Sequence, residues 1–233
     1  MARSPGNSRP KGAKPRSHVV TKAASSAVHG SLGFDRFVFF SDAVFAIAIT
    51  LLVLDIRLPQ GGPFTLGPVV PKIIGFGLSF YVIGRYWFAH HQLFLKPQAY
   101  DPLLVNLNLA FLASVAFLPF PTSVVIMERP EPEPVGFYTL CLAVVGLLMV
   151  ALVVMATRPK LRPDMRRGAR LRAILNSILP PLVFAGATGI SLVSPRNALF
   201  FLAVLIPVGI LGDRLGARLA KGLDGTLELS EGE

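Results

Sequence analysis

A bundle of membrane-spanning helices, all-α and polytopic, is the fold class that this sequence predicts, and three observations predict it. Hydrophobic residues make up 52% of the 233 positions and charged residues 15%, against about 25% charged in a soluble domain. Mean hydropathy is +0.59. The apolar residues also gather into successive runs of roughly 20, the length that crosses a hydrocarbon core about 30 Å thick. This balance excludes most soluble-enzyme readings and any chain dominated by disorder. A net charge of +10 would suit nucleic acid, but in a chain this apolar the basic residues serve as a topological signal. The bilayer is the expected partner, and no nucleic acid. Cys141, the only cysteine, cannot form an internal disulfide and offers no cysteine-based metal site.

Residues 1–33 read as a disordered basic cytoplasmic tail, because they hold Arg3, Arg9, Lys11, Lys14, Arg16 and Lys22 with no acid and no apolar run. The composition is also that of an organellar transit peptide; a solvated tail beside an anionic leaflet is the plainer reading. Six spans follow, at about 35–57, 70–96, 102–127, 135–157, 171–193 and 197–214, within a transmembrane domain over 34–215. Gly75, Gly77 and Gly84 punctuate the second, Pro180 and Pro181 should kink the fifth, and Pro207 lies in the sixth. Residues 216–233 read as a cytoplasmic C-terminal tail.

Orientation follows from where Lys and Arg fall. The tail, the connection between spans four and five (Arg158, Lys160, Arg162, Arg166, Arg167, Arg170, Arg172) and Arg214, Arg218 and Lys221 are basic. The connection 128–134 is net acidic and Gln60 to Val69 is uncharged. An even number of spans with both ends cytoplasmic, in the plasma membrane, satisfies the pattern.

Ionisable groups inside a span are costly and mark function by default. Arg36 sits where its side chain can snorkel to the interface. Asp42 lies roughly 9 Å deeper at 1.5 Å per residue and about 120° round from Arg36, so its partners must come from other helices. An inward-running second span brings Arg85, Trp87, His90 and His91 to the same depth, and the third brings Asn106 and Asn108. These groups must satisfy one another in low dielectric. Two readings stand: a hydrogen-bonded clamp that fixes how three helices meet, or a proton-sensitive latch built on histidine. His90 and His91 diverge by about 100° and cannot chelate one ion together, so no metal is expected. Neither a catalytic triad spacing nor a phosphate loop is present, and an enzyme is not expected. On the first span, Ala43, Ile47, Thr50 and Leu54 fall within about 60° of one another, with Leu51 at the edge. Such a stripe is ordinary packing, lipid contact or a pore wall, and periodicity does not choose among these.

The segment Arg36-x-x-x-Phe40-Ser41-Asp42, continued by Ala-Val-Phe-Ala-Ile-Ala-Ile-Thr-Leu-Leu-Val-Leu, resembles the first-helix signature of the transmembrane protein 175 potassium channels, in particular their bacterial single-repeat members. The likeness continues in Tyr86-Trp87-Phe-Ala-His90-His91, Asn106-Leu-Asn108 and Phe117-Leu-Pro-Phe-Pro-Thr122, and spans about residues 34 to 215. The resemblance implies a homotetramer in which four copies of the first helix line a pore at the tetramer axis. It implies a constriction at Ile47, with Thr50, Leu51 and Leu54 continuing the wall, and monovalent cations, potassium above all, as the permeant species with no cofactor. It further implies that Arg36, Ser41 and Asp42 bond with a histidine and other polar residues of the second and third helices. Ile47 stands where leucine is expected in many bacterial members, and Ala46 precedes it in place of a hydroxyl residue, which implies modest selectivity. A potassium-favouring cation channel is the expected function. A proton-coupled transporter or proton-permeable channel using Asp42 and His90 is the alternative, and a non-transporting membrane protein is a third class.

Overall fold

The computed structural model describes residues 17–56, 66–67, 69–95, 101–127 and 131–202, with side chains described from Phe34 onward except those of Asp55 and Met127. The readings of residues 1–16, of Gln60 with the connection after it, of most of the sixth span including Pro207, and of the C-terminal tail lie outside the described residues. The described elements are helical: α1 (Ser17–Leu51), α2 (Val70–Phe94), α3 (Pro102–Phe117), α4 (Pro119–Met127), α5 (Pro132–Ala156) and α6 (Arg167–Ser191), with a tight 3-10 turn at Leu52–Asp55 closing α1. The chain is helical again at 195–202.

Among the described residues, four stretches are long and apolar enough to cross a membrane: Phe34–Leu54, Pro102–Ile126, Pro132–Ala156 and Arg167–Ser191. The second expected span, α2, has the length, 25 residues, or about 37 Å of helix. Lys72, Arg85 and the two histidines keep it out of that apolar set. α1 begins at Ser17 rather than near 35, so residues 17–33, read from composition as part of an unstructured tail, are helical. Alanines 23, 24 and 27 meet helix propensity there without any apolar run.

The third span is two helices. Pro119 and Pro121 lack the N–H that would continue an unbroken ladder, and Leu118 N instead donates to Val115 O in a tighter turn, 3.1 Å. The ladder resumes when Thr122 N donates to Leu118 O, 3.1 Å. By contrast α6 runs through Pro180 and Pro181 as one helix. Helix starts follow local chemistry. Asp101 caps α3, its Oδ1 accepting from Leu103 N at 2.9 Å and Leu104 N at 3.3 Å, with Pro102 pre-set in the first turn.

α5 is the central helix, with 56% of its span buried, against 17% for α6 and 22% for the apolar part of α1. It packs most extensively on α6 and also on α3 and α4, while α1 packs on α2 and α3. Phe45, Leu52, Ile83, Phe111, Leu142 and Phe184 are all but fully buried in the shared core. Lipid offers little hydrophobic drive for such packing, so close approach and interhelical hydrogen bonds hold the helices together. Ser79 Oγ and Tyr138 Oη lie 2.9 Å apart, Thr122 Oγ1 is 3.2 Å from Ser79 Oγ, and Tyr86 Oη donates to Leu142 O at 3.2 Å. These bonds join α2, α4 and α5.

Gly146 makes a close approach of three helices possible. A Cβ there would stand 2.8 Å from Pro181 Cβ, 3.1 Å from the Pro181 backbone and 2.9 Å from Tyr86 Oη. Gly146→Ala is expected to destabilise by about 1–3 kcal/mol through overpacking, read as a lower melting temperature in detergent. Gly77→Ala, with nothing within 4 Å of the new Cβ, should be neutral or stabilising.

Candidate functional site

The site begins with how α1 divides its faces. Ser41, Phe45, Ala48 and Leu52 recur at four, three and four residues, the helical repeat, and are buried to 1% exposure or less. Asp42, beside Ser41, is half-buried at the edge of that face.

Ser41 sets the direction of a three-helix chain of hydrogen bonds. Its hydroxyl donates to Phe37 O one turn back, 3.0 Å. Having given its one proton there, it accepts from Asn108 Nδ2 at 3.0 Å. The amide orientation is thereby fixed, and Asn108 Oδ1 faces His90 Nε2 at 2.8 Å. His90 must donate, which places its hydrogen on Nε2. Ser41, His90 and Asn108 are all completely buried. The imidazole lies parallel to Phe111, centroids 5.6 Å apart and 3° between planes, and against Phe94 at 4.7 Å. Its Nδ1 is buried and bonded to no described residue.

Asp42 and Trp87 form a second link outside the first. Trp87 Nε1 donates to Asp42 Oδ1 at 2.9 Å, and the indole stacks on His91 one turn along α2, 5.5 Å between centroids. The structure thus brings Ser41, Asp42, Trp87, His90, His91 and Asn108 into one layer from α1, α2 and α3. It does not bring Arg36 into it. That side chain is exposed, and no hydrogen bond or ion pair joins it to a described residue. Asn106, expected beside Asn108, is exposed because two residues on a helix turn it about 200° away. Phe40 is exposed as well.

Trp87 is the only tryptophan, so its emission reports the Asp42 link. Asp42→Ala is expected to shift the emission maximum, with Asp42→Asn, which keeps an acceptor oxygen, shifting it less. Equal spectra for both variants and the parent would show that the bond does not form in solution.

The other face of α1 carries the pore candidates. Ala43, Ile47, Thr50, Leu51 and Leu54 are exposed, Ile47 by 59% and Leu54 by 66%, and no described helix of the same protomer covers them. The Thr50 hydroxyl is turned back on its own helix, donating to Ile47 O at 2.9 Å.

One contributor escaped sequence reasoning. Arg162, in the α5–α6 connection, donates from Nη2 to Leu93 O at 2.8 Å, capping the last turn of the helix that carries Trp87, His90 and His91. Free carbonyls at a helix C-terminus attract cations, but seven basic residues in that connection gave no means of choosing this one.

The sequence pattern of the endosomal/lysosomal potassium channel TMEM175 family matches residues 36–119, the stretch that holds the whole layer and the exposed stripe. A potassium channel of Streptomyces collinus is 37% identical over 158 residues, 61% of this chain and 77% of that protein. The chain belongs to the TMEM175 family. A solved member, a lysosomal potassium-selective channel TMEM175 homolog from Chamaesiphon minutus, superimposes with a TM-score of 0.67 at 26% identity, covering 77% of this chain and 97% of that one. The endosomal/lysosomal proton channel TMEM175 of Bos taurus is 31% identical over 232 residues, 89% of this chain but 48% of that protein. Against this TMEM175 relative the chain spans about half the length.

Proposed function

We propose that this multi-pass membrane protein is the protomer of a cation channel that favours potassium modestly over sodium. In this reading six spans place both termini in the cytoplasm of the plasma membrane. Four copies gather around an axis with α1 innermost, and Ile47 forms the narrowest ring, with Thr50, Leu51 and Leu54 continuing the wall outward. The observation that carries it is the bare face of α1: an apolar stripe, exposed on the protomer, opposite a face locked by Ser41 and Phe45. The bacterial relatives' description as potassium channels gives that face its use.

An apolar ring selects by dehydration. Sodium holds its water more tightly than potassium and loses more on passing a dry constriction. The layer of Ser41, Asp42, Trp87, His90 and Asn108 would then act as a positioning clamp, holding α1 at a fixed angle so that the stripe faces the axis.

The test is reconstitution into potassium-loaded liposomes in sodium medium, following flux with a protonophore-coupled dye and taking valinomycin as the capacity control. Flux above empty vesicles that falls when sodium replaces potassium inside supports the reading. A monomer without flux overturns it.

A second reading, a proton-permeable channel or proton-coupled transporter through Asp42 and His90, is favoured by the vertebrate relatives described as proton channels. It predicts proton flux without protonophore that falls in Asp42→Asn, whereas the channel reading predicts potassium flux that needs no proton gradient.

A further inference from the structure

We propose that α4 is the seat for the far end of α1, and that a buried chain of three hydroxyls, Tyr138, Ser79 and Thr122, fixes that seat and so positions Leu54 on the pore wall. Ser79 Oγ lies 2.9 Å from Tyr138 Oη and 3.2 Å from Thr122 Oγ1, which in turn is 2.8 Å from Leu118 O. All three side chains are buried, so each proton needs an acceptor inside the cluster. Only one direction supplies them all. Thr122 donates back to Leu118 O, Ser79 donates to Thr122, and Tyr138 donates to Ser79. The reverse order leaves the Tyr138 proton with no acceptor among the described residues. The chain therefore ends on the carbonyl at the proline break, where α4 begins, and ties that point to α2 and α5.

A second contact holds the other end of α4 without a hydrogen bond. Gly75 of α2 admits Ile126: a Cβ at Gly75 would stand 2.7 Å from Ile126 Cγ1. α4, nine residues long, is thus fixed near both ends, and the 3-10 turn Leu52–Asp55 packs on it and on α2. Leu52 of that turn is completely buried, whereas Leu54 is 66% exposed on the stripe. The polar layer at Ser41 grips α1 at one level and α4 grips it at another, so the angle of the stripe is set at two separate points. The break at Leu118 gives this arrangement its use. A helix parted from α3 can be fixed against α2 and α5 independently of the layer that Asn108 of α3 completes. That Leu54 lines a pore rests on the proposed function; the seating of the turn on α4 does not.

The experiment places a sparse nitroxide label on Leu54→Cys or on Ile47→Cys, each in a Cys141→Ser background of the full chain in liposomes, and reads the ratio of mobile to immobile label. Thr122→Val keeps the side-chain shape but ends the hydroxyl chain. It should raise that ratio at position 54 about fivefold, which is about 1 kcal/mol, one hydrogen bond, at tenfold per 1.4 kcal/mol. Thr122→Ser, which keeps the hydroxyl, should return the parent's ratio. Gly75→Ala breaks no hydrogen bond and should loosen position 54 by displacing Ile126. In each variant the label at position 47 and the Trp87 emission should stay as in the parent, because the layer at Ser41 is untouched. Tyr138→Phe strands no proton and replaces Thr122→Val should that variant not fold, with the same direction expected. Equal loosening at both labels, or an unchanged label at position 54 in the folded variant, overturns the proposal. Potassium and sodium flux are scored on unlabelled protein carrying the native Leu54. Thr122→Val should alter the preference between the two ions and Thr122→Ser restore it; an unchanged preference beside a loosened label overturns the positioning role. A parent that conducts neither ion fails the channel reading, while the labels still report the seating of the turn.

Discussion

Ile47→Asn is expected to raise potassium flux several-fold and to bring the sodium and potassium permeabilities close together. Under the proposed assembly the substitution puts an amide in each copy of a ring that otherwise offers no hydrogen bond to water. A dry constriction demands that an ion shed water, and the demand disappears when the ring is wet. The substitution is unusually clean because Ile47 is exposed on the protomer. Removing it costs the fold little, within about 0.5 kcal/mol for an ordinary surface position. β-Branching also matters, since isoleucine on a helix is held near one χ1 rotamer. Ile47→Leu should therefore loosen the ring without wetting it, with a smaller rise in conductance and selectivity largely kept. Single-channel currents in bilayers with potassium and sodium on opposite sides read both quantities. Unchanged permeability ratios in Ile47→Asn would remove Ile47 from the constriction.

Asn108→Leu is expected to be the most damaging single change in the polar layer. Asn108 gives Ser41 a donor and His90 an acceptor, and all three are completely buried. Leucine strands the His90 Nε2–H, at about 1–3 kcal/mol, and takes away the bond that Ser41 accepts, at about 0.5–1.5 kcal/mol more, while the Ser41 hydroxyl keeps Phe37 O. A loss of about 2–4 kcal/mol corresponds to a melting temperature lower by roughly 5–15 °C for a chain of this size. The distinctive expectation lies in the repair. Asn108→Leu combined with His90→Phe and Ser41→Ala removes every group left stranded, and phenylalanine continues the stack on Phe111. That triple variant should regain most of the lost stability, chiefly through the loss of the stranded imidazole, because apolar replacement of a whole network is nearly neutral where breaking it is not. If stability returns without flux, the layer positions α1 for conduction beyond merely holding it folded.

What the sequence disclosed was set by how local the information is. Run length and charge deficit identify membrane helices because a bilayer leaves the backbone few other options. Depth along a helix is arithmetic in residue number, so Asp42, Trp87, His90 and Asn108 could be placed in one layer before any coordinate. Angle is less forgiving: Asn106 and Asn108 share a depth and a chemistry, yet only Asn108 meets Ser41. Hydropathy blurs the break at Leu118, since both helices around it are equally apolar, although Pro119 and Pro121 were visible. Contacts such as Ser79 with Tyr138, or Arg162 with Leu93, join residues far apart in sequence with no periodicity to announce them. The start of α1 at Ser17 was hidden because composition weighs solvation and burial, not the helix propensity of a few alanines.

The two polar residues of α1 differ in a way that matters while the chain is being made. A ribosome adds about 5–20 residues per second, so the first helix is synthesised seconds before the third exists. Ser41 is separated by 67 positions from Asn108, yet its hydroxyl has the Phe37 carbonyl one turn away and carries its own partner into the bilayer. Asp42 finds Trp87 only 45 positions later. Ser41 therefore has a partner within its own helix from the moment α1 forms, whereas the carboxylate of Asp42 meets its partner only once α2 exists. Of two neighbouring polar residues, one is satisfied by sequence distance four and the other by sequence distance 45, so only the second makes α1 depend on a later helix.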